Sequence, residues 1–383
     1  MKKSLISLAV LAAAGAASAQ SSVTVYGIVD AYLGNVKNNI GTNGPDATKK
    51  NQTTVDSGGT STSRVGVKGV EDLGNGLKAS FQLEQGLAVD SGAALQDSQT
   101  KSYTGFDRRA QVGLSGAFGG LVFGRTYLPY FDLRSATDGD VVGGEIFGPR
   151  ETFKLGNLGD KFASASGAAA VALSDYTKNA SNVISYTSPN FNGFTAAVAV
   201  GLGENKSASS SAANTTSLKL QYANGPLLVG FGHQKEEYQS WGTSSTASSN
   251  TTLNTTYQPK ATYNLLAGSY DFGVAKLFTS YQDVKYEETY GSSGTGKAKD
   301  YHFGVSVPVA ANTKLWADYA HAKFNSDATG KDVKATGYTL GADYVLSKRT
   351  DIYVAYRATT KKNEAGTKLG ENNVFGVGIK HVF

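Results

Sequence analysis

Residues 337–357 read GYTLGADYVLSKRTDIYVAYR. Tyr338, Leu340, Ala342 and Tyr344 alternate with Gly337, Thr339, Gly341 and Asp343. Beyond Leu346-Ser347-Lys348-Arg349, Ile352, Val354 and Tyr356 alternate with Asp351, Tyr353 and Arg357. Successive side chains of a strand point to opposite faces, so each arm carries one apolar wall and one polar wall. The short polar link between them reads as a tight turn, and the segment as an antiparallel hairpin.

The same period of two recurs along the chain, as in Ala261, Tyr263, Leu265 and Ala267, and again in Tyr301, Phe303, Val305 and Val307. Beyond residue 20 no stretch places apolar residues at i, i+3, i+4 and i+7, the pattern an amphipathic helix requires. Short turns such as 71–76, 223–226 and 346–349 alternate with long connections rich in Ser, Thr, Asn and Gly at 34–61, 203–216, 239–256 and 287–298. Sixteen strands are predicted, the first near 22–33 and the last near 372–383. An even number of strands of about ten residues, short turns at one end and long loops at the other, describes an all-β, 16-stranded antiparallel transmembrane β-barrel. A soluble sandwich or β-helix would need a packed core, which so much Gly, Ser and Thr supplies poorly.

Composition agrees. The 383 residues include 46 glycines, 7 prolines, 21 tyrosines, 2 tryptophans and no cysteine, with a net charge of +5. Without cysteine there is no disulfide framework, zinc-thiolate site or cysteine nucleophile. The charge is mild and unclustered, which argues against nucleic acid as a partner. A barrel has its apolar face outside and water inside, so modest overall hydrophobicity is expected, and tyrosine suits the two membrane interfaces.

Residues 1–19 read as a secretory signal: Lys2 and Lys3, an apolar run from Leu5 to Ala17, and Ala17-Ser18-Ala19 as an A-x-A exit. Residues 20–383 form the barrel domain, whose charge without the two lysines falls from +5 to +3. No later run approaches the roughly 18 apolar residues of a transmembrane helix.

Several stretches resemble the general porins of Gram-negative bacteria, in particular the trimeric β-proteobacterial type. They are Ser22 to Asp30 (SVTVYGIVD), Ser63 to Ala79 (SRVGVKGVEDLGNGLKA), Arg108 to Leu114 (RRAQVGL) with Phe123-Gly124-Arg125, Ile184 to Phe194 (ISYTSPNFNGF), Gly341 to Thr350 and Gly376 to Phe383. The likeness runs in register through the chain after the signal. It implies a homotrimeric outer-membrane channel passing small hydrophilic solutes and ions by diffusion. Outer-membrane lipid, lipopolysaccharide and the barrel assembly machinery are the implied partners. The alternating final strand ends on Phe383, which resembles the assembly signal of bacterial outer-membrane barrels.

The resemblance also implies a third loop, about Tyr127 to Tyr176, folded into the lumen with acids facing a basic wall. Asp138, Asp140 and Glu145 are the expected acidic side. Arg64 and Lys68 share parity opposite Val65 and Val67 and should point inward. Parity with Val112 and Leu114 outward turns Arg109 inward, whereas position relative to Gly113 matches the family's arginine to Arg108. Lys178 stands where relatives carry arginine ahead of Ile184. Fixed acids across from fixed bases make a transverse field that orients dipolar solutes and gives weak charge selectivity.

No catalytic, metal or cofactor site is expected. Gly291 to Lys297 fits G-x-x-x-x-G-K, but Ala298 replaces the hydroxyl residue and no helix follows. His233, His302, His321 and His381 lack ligand spacing. Two other functions fit the same barrel: a substrate-specific channel with a saturable site beside Tyr127, Tyr130 and Phe131, and a barrel whose long loops act as an adhesin or carry an enzyme.

Overall fold

The computed structural model describes residues 22–40, 50–95, 105–139, 146–148, 152, 176–204, 206, 212–237, 260–287, 295–326 and 332–383. The expected signal, residues 1–19, lies outside them. The strands in chain order are β1 (Ser22–Ile40), β2 (Lys50–Ser57), β3 (Arg64–Gly74), β4 (Leu77–Ala88), β5 (Ala93–Ala94), β6 (Arg109–Gly116), β7 (Gly119–Tyr127), β8 (Asn179–Thr187) and β9 (Phe194–Gly201). They continue as β10 (Thr215–Asn224), β11 (Leu227–Glu237), β12 (Lys260–Asp271), β13 (Lys276–Glu287), β14 (Thr295–Ala310), β15 (Thr313–Ser326), β16 (Val333–Ser347), β17 (Thr350–Asn363) and β18 (Lys368–Val382). One helix is described over its full length, α1 (Pro129–Ser135), and it follows β7.

Consecutive strands pair antiparallel around the wall. β2 pairs with Ala31–Asn38 of β1 and β3 with Ser22–Ile28, so the two share one wall position. β5 is a two-residue flap on β4. Eighteen strands less these two leave 16 wall positions. β1 then closes on β18, from Ile28↔Val382 to Ile40↔Gly370. Phe383 extends the seam: the Gly27 amide donates to its carbonyl (3.0 Å) and its own amide donates back to Gly27 (3.1 Å).

The structure lengthens the expected strands at the long-loop end. Residues 34–61 do not form one loop, since β1 runs on to Ile40 and β2 returns beside it. Residues 295–298, expected in a loop, open β14. Both faces of such a rim meet water, so Asn, Gln, Thr and Lys build it without the alternation that marks a membrane-facing strand.

The wall is apolar outside and polar inside. Val25, Leu33, Val112, Phe123, Phe231, Leu266, Phe303, Leu340, Val354 and Phe375 are exposed on the outer face. Inward neighbours on several of these strands, among them Asp30, Gln234, Gln282, Asp300, His302 and Arg357, are buried. In lipid an outward lysine or arginine at mid-depth costs about 2–4 kcal/mol, so the belt carries none on β11–β17 and the charge moves to rim and lumen.

Asp30 holds the crossing from β2 to β3 in place. Its fully buried carboxylate accepts from the amides of Gly59 (3.2 Å), Thr60 (3.0 Å) and Ser61 (2.8 Å), from Thr60 Oγ1 (2.9 Å) and from Tyr353 Oη (2.6 Å). Asp30→Ala strands these donors, and the refolded barrel should lose about 3 kcal/mol. The measurement is the temperature or urea concentration at which the compact band on a semi-native gel gives way. No change would deny the carboxylate this role.

Candidate functional site

The third long connection enters the barrel directly after β7. The Leu128 amide donates to the Lys178 carbonyl (2.9 Å), which closes its neck. Pro129 opens α1, but Leu128 supplies no side-chain cap. The barrel wall supplies one instead: the Tyr130 amide donates to Ser217 Oγ on β10 (3.0 Å). The first amides of any helix lack intrahelical partners, so a polar inner wall is a ready place to dock one.

α1 lies along β10 to β12. Space for it comes from glycines of β11: a Cβ at Gly230 would meet Leu133 Cδ1 at 2.5 Å, and one at Gly232 would meet Tyr130 Cδ2 at 3.0 Å. Tyr130 Oη donates to Gln282 Oε1 (2.5 Å), and Gln282 Nε2 donates to Asp300 (2.6 Å). Arg134 Nε donates to Asp138 Oδ1 (2.6 Å), and its Nη1 reaches Asp300 Oδ1 on β14 (3.4 Å). Burial opposes the charge on Arg134, but Asp138 and Asp300 outweigh it and raise its pKa above the ordinary value. On the way out, Glu236 of β11 accepts from the Thr177 amide (2.7 Å) and hydroxyl (3.0 Å).

Further along, the Ile146 and Phe147 amides donate to the carbonyls of Gly58 (3.4 Å) and Gly59 (3.2 Å). The Phe147 ring sits between Tyr32 (5.4 Å) and Tyr353 (6.3 Å), against the inner face of β1 and β17. The described residues of the connection therefore follow the inner wall, from β10–β14 past Asp318 of β15 at Gly139 and Gly337 of β16 at Thr152 to Phe147 at β17, β18 and β1. The described part of this connection lies against the inner wall, on the lumen side of the barrel.

On the arc from β1 to β7 the inner wall is cationic. Glu84 of β4, 5% exposed, is its hub. It accepts from Arg108 Nε (2.7 Å) and Tyr26 Oη (2.8 Å), with Arg64 Nε at 3.7 Å. Gln82 Nε2 donates to Tyr26 Oη (2.6 Å), and Lys68 Nζ lies 5.0 Å from the centre of the Tyr26 ring. Arg109 lies 4.5 Å and Arg108 5.6 Å from the centre of the Tyr127 ring. Tyr127 stacks on Phe131 (4.8 Å), and Lys178 Nζ is 5.9 Å from that second ring. A guanidinium or ammonium over an aromatic face is worth about 0.5–1 kcal/mol where it stays wet, so the rings hold these cations without neutralising them.

The neighbouring backbone aims both arginines. Arg125 Nε donates to the Asp107 carbonyl (2.5 Å), and Asn179 Nδ2 donates to the carbonyls of Asp107 and Arg108 (2.9 Å each). Arg109 follows strand parity, bonding Gln111 and Thr126 on the inner face (3.3 Å each). Arg108 precedes β6, so parity does not bind it, and it bends to Glu84. Both arginines thus serve the same cluster.

The structure brings Arg64, Lys68, Arg108 and Arg109 together and places Lys178 at the loop neck beside them. It treats the acids differently from expectation. Asp138 is 1% exposed and paired with Arg134, four residues earlier, so it holds the loop and presents no free carboxylate to the lumen. Asp140 and Glu145 lie outside the described residues. Sequence reasoning missed Glu84, whose inward parity with Gln82 was readable, and the inward glycines 230 and 232, which mark the helix's seat. Asp132 lies on α1; burial raises its carboxyl pKa above the ordinary carboxylate range, with Lys219 and Arg109 pulling it down less strongly.

A family profile described as Gram-negative porin matches residues 5–364. The chain is 34% identical over 382 residues to outer membrane porin protein 32 of Delftia acidovorans, covering 99% of this chain and 95% of that one. It is 29% identical to an outer membrane porin protein of Bordetella pertussis, with both chains covered completely. Among solved structures, an anion-selective porin from Comamonas acidovorans superposes with a TM-score of 0.72 at 29% identity, covering 95% of this chain and all of that one.

Two outcomes follow. As pH falls below neutrality Asp132 takes up its proton before ordinary carboxylates do, which removes a negative charge from the constriction. The reversal potential in a salt gradient should shift toward the anion on acidification, and Asp132→Asn should flatten that part of the curve; an identical curve in the variant would exclude Asp132. Arg134→Met leaves Asp138 and Asp300 without their cation and should weaken the loop's hold by about 3–5 kcal/mol. Larger or noisier unitary currents are expected, and unaltered traces would show that the aromatic contacts suffice.

Proposed function

Because this chain belongs to the Gram-negative porin family and is a passive diffusion channel of the outer membrane, we propose that its constriction prefers anions. One observation carries the reading: Arg64, Lys68, Arg108 and Arg109 line one inner arc with Glu84 as the carboxylate among them, while the loop's Asp138 is paired with Arg134. Arg64 and Arg108 keep 26% and 17% of their side-chain surface, so their charge reaches passing solutes. Lys178 extends the positive side toward the loop neck. The anion-selective neighbour supports the same sign. A narrow, low-dielectric passage focuses such a field, so a few fixed charges select ions by sign without a tight binding site.

The working form is a homotrimer that begins at Gln20, catalyses no reaction and needs no cofactor. The outer face supports the assembly. At the loop end β8, β9 and β10 carry Ile184, Val200 and Thr216 in register, an uncharged arc suited to a second subunit. Phe383, at the seam, is the residue the assembly machinery reads.

Single-channel recording of the refolded protein in a planar bilayer tests the reading. Conductance should rise in steps of three and grow with salt, with a reversal potential on the anion side. Arg64→Glu should lower the chloride-to-potassium permeability ratio about twofold or more. An unchanged ratio would remove Arg64 from the filter, and current that saturates with salt would mark a binding site along the Tyr127–Phe131 stack.

A further inference from the structure

The cations of the inner arc are not all engaged by a carboxylate. Arg64 and Arg108 lean on Glu84. Arg109 has only neutral hydrogen-bond partners: its Nη1 donates to Gln111 Oε1 and Thr126 Oγ1 (3.3 Å each). Its Nε and Nη2, which share one edge of the guanidinium, donate to nothing among the described residues. A guanidinium holds its donors in a planar fork that matches the two oxygens of a carboxylate. Arg109 is half-buried, so this unused edge is open to lumen water and to solutes.

Ring surface lies beside that edge. The Arg109 guanidinium is 4.5 Å from the centre of the Tyr127 ring, and Tyr127 stacks on Phe131 with centres 4.8 Å and planes 29° apart. Both rings are half-buried. Seating α1 does not account for them, because Tyr130 and Leu133, fully buried, fill the space over Gly232 and Gly230. Phe131 turns instead to Tyr127, with Tyr176 tilted at 6.5 Å. Apolar surface offers a hydrated ion no hydrogen bond, so a passage for inorganic ions gains nothing from a phenyl ring in its lining. A solute with a flat apolar face does gain from it.

Asp132 limits the charge such a solute can carry. It follows Phe131 on α1, in the field of Lys219 and Arg109. At neutral pH its carboxylate repels a second negative group on anything held against Phe131.

We infer that Arg109, Tyr127 and Phe131 form a binding site in the passage for a planar aromatic monocarboxylate of the benzoate type. The carboxylate pairs with the Nε–Nη2 edge of Arg109, and the ring packs against the Tyr127–Phe131 stack. The inference rests on the anion-preferring reading of the constriction and adds what charge alone does not choose, the shape of the anion. Ring and carboxylate of benzoate are conjugated and share a plane, so pairing at Arg109 also orients the ring. Acetate uses the charge and leaves the rings idle, while a dicarboxylate meets Asp132. The site is half-open, so the solute is held briefly and released, as conduction requires.

Unitary currents of the refolded protein in planar bilayers, with potassium benzoate, cyclohexanecarboxylate or acetate at neutral pH, test the site. Current carried by benzoate should reach half-saturation at a concentration about tenfold below that of the other two. Cyclohexanecarboxylate has the same charge and similar bulk without a flat ring, so equal half-saturation for it and benzoate would overturn the inference without recourse to a variant. Phe131→Leu should erase the difference between those two salts; a difference of the same size in the variant would overturn the inference. Arg109→Lys keeps the charge but loses the planar edge, and should raise the half-saturating concentration of benzoate severalfold. No rise would overturn it as well. The reversal potential in a potassium chloride gradient, read on the same bilayers, reports the anion preference alone. A potential on the cation side would defeat that reading, and the comparison of the three salts would still decide the site.

Discussion

Inside a bilayer no water is available to an unpaired amide or carbonyl, so every backbone polar group in the wall must find a partner in the wall. A sheet can do that only by closing on itself, and here closure is completed along β1 and β18 as far as Phe383 and Gly27. Once the sheet is closed, the alternation of side chains ceases to be a solvent-versus-core pattern and becomes lipid outside, water inside. Strands are confined to the wall by their own hydrogen bonds. Anything that narrows the lumen must therefore be a connection entering from the rim, and its attachment must be made to polar side chains.

That requirement divides the inward charges into two groups. Arg134, Asp138 and Asp300, with Glu236 at the exit, are buried and locked to one another or to backbone amides; they hold the connection. Arg64 and Arg108 share the hub of Glu84 with Tyr26, while Lys68 lies over the Tyr26 ring and Arg109 over the Tyr127 ring; only partly buried, they face what passes. The first group works through geometry in a dry pocket, where a broken pair is expensive. The second works through field, where partial hydration is required.

Much of this was legible in the residues. Alternation alone located the strands that meet lipid, and parity alone turned Arg64 and Lys68 inward. Parity failed at Arg108, which precedes its strand and is steered by Asn179 and the carboxylate of Glu84. It was silent for residues 34–40 and 50–57, whose faces both meet water. Asp138 read as part of the lumen's acidic side, yet its spacing of four from Arg134 at a helix end was the available signal for a pair. The convergence of β1, β3, β4 and β6 on Glu84 was not legible, because it depends on register between strands distant in sequence.

The third connection does more than set an aperture. It is fastened at β10–β14, then beside Asp318 of β15 at Gly139 and Gly337 of β16 at Thr152, and at β1 and β17 by the Phe147 ring between Tyr32 and Tyr353. A closed sheet resists stretching but ovalises easily, as any thin tube does. A segment tied to the inner wall at successive strands is an inner rib, stiffening the tube along that arc against flattening by lateral membrane pressure. Pore width and mechanical roundness are thus properties of one polypeptide segment, and evolution cannot enlarge the first by shortening that segment without softening the second.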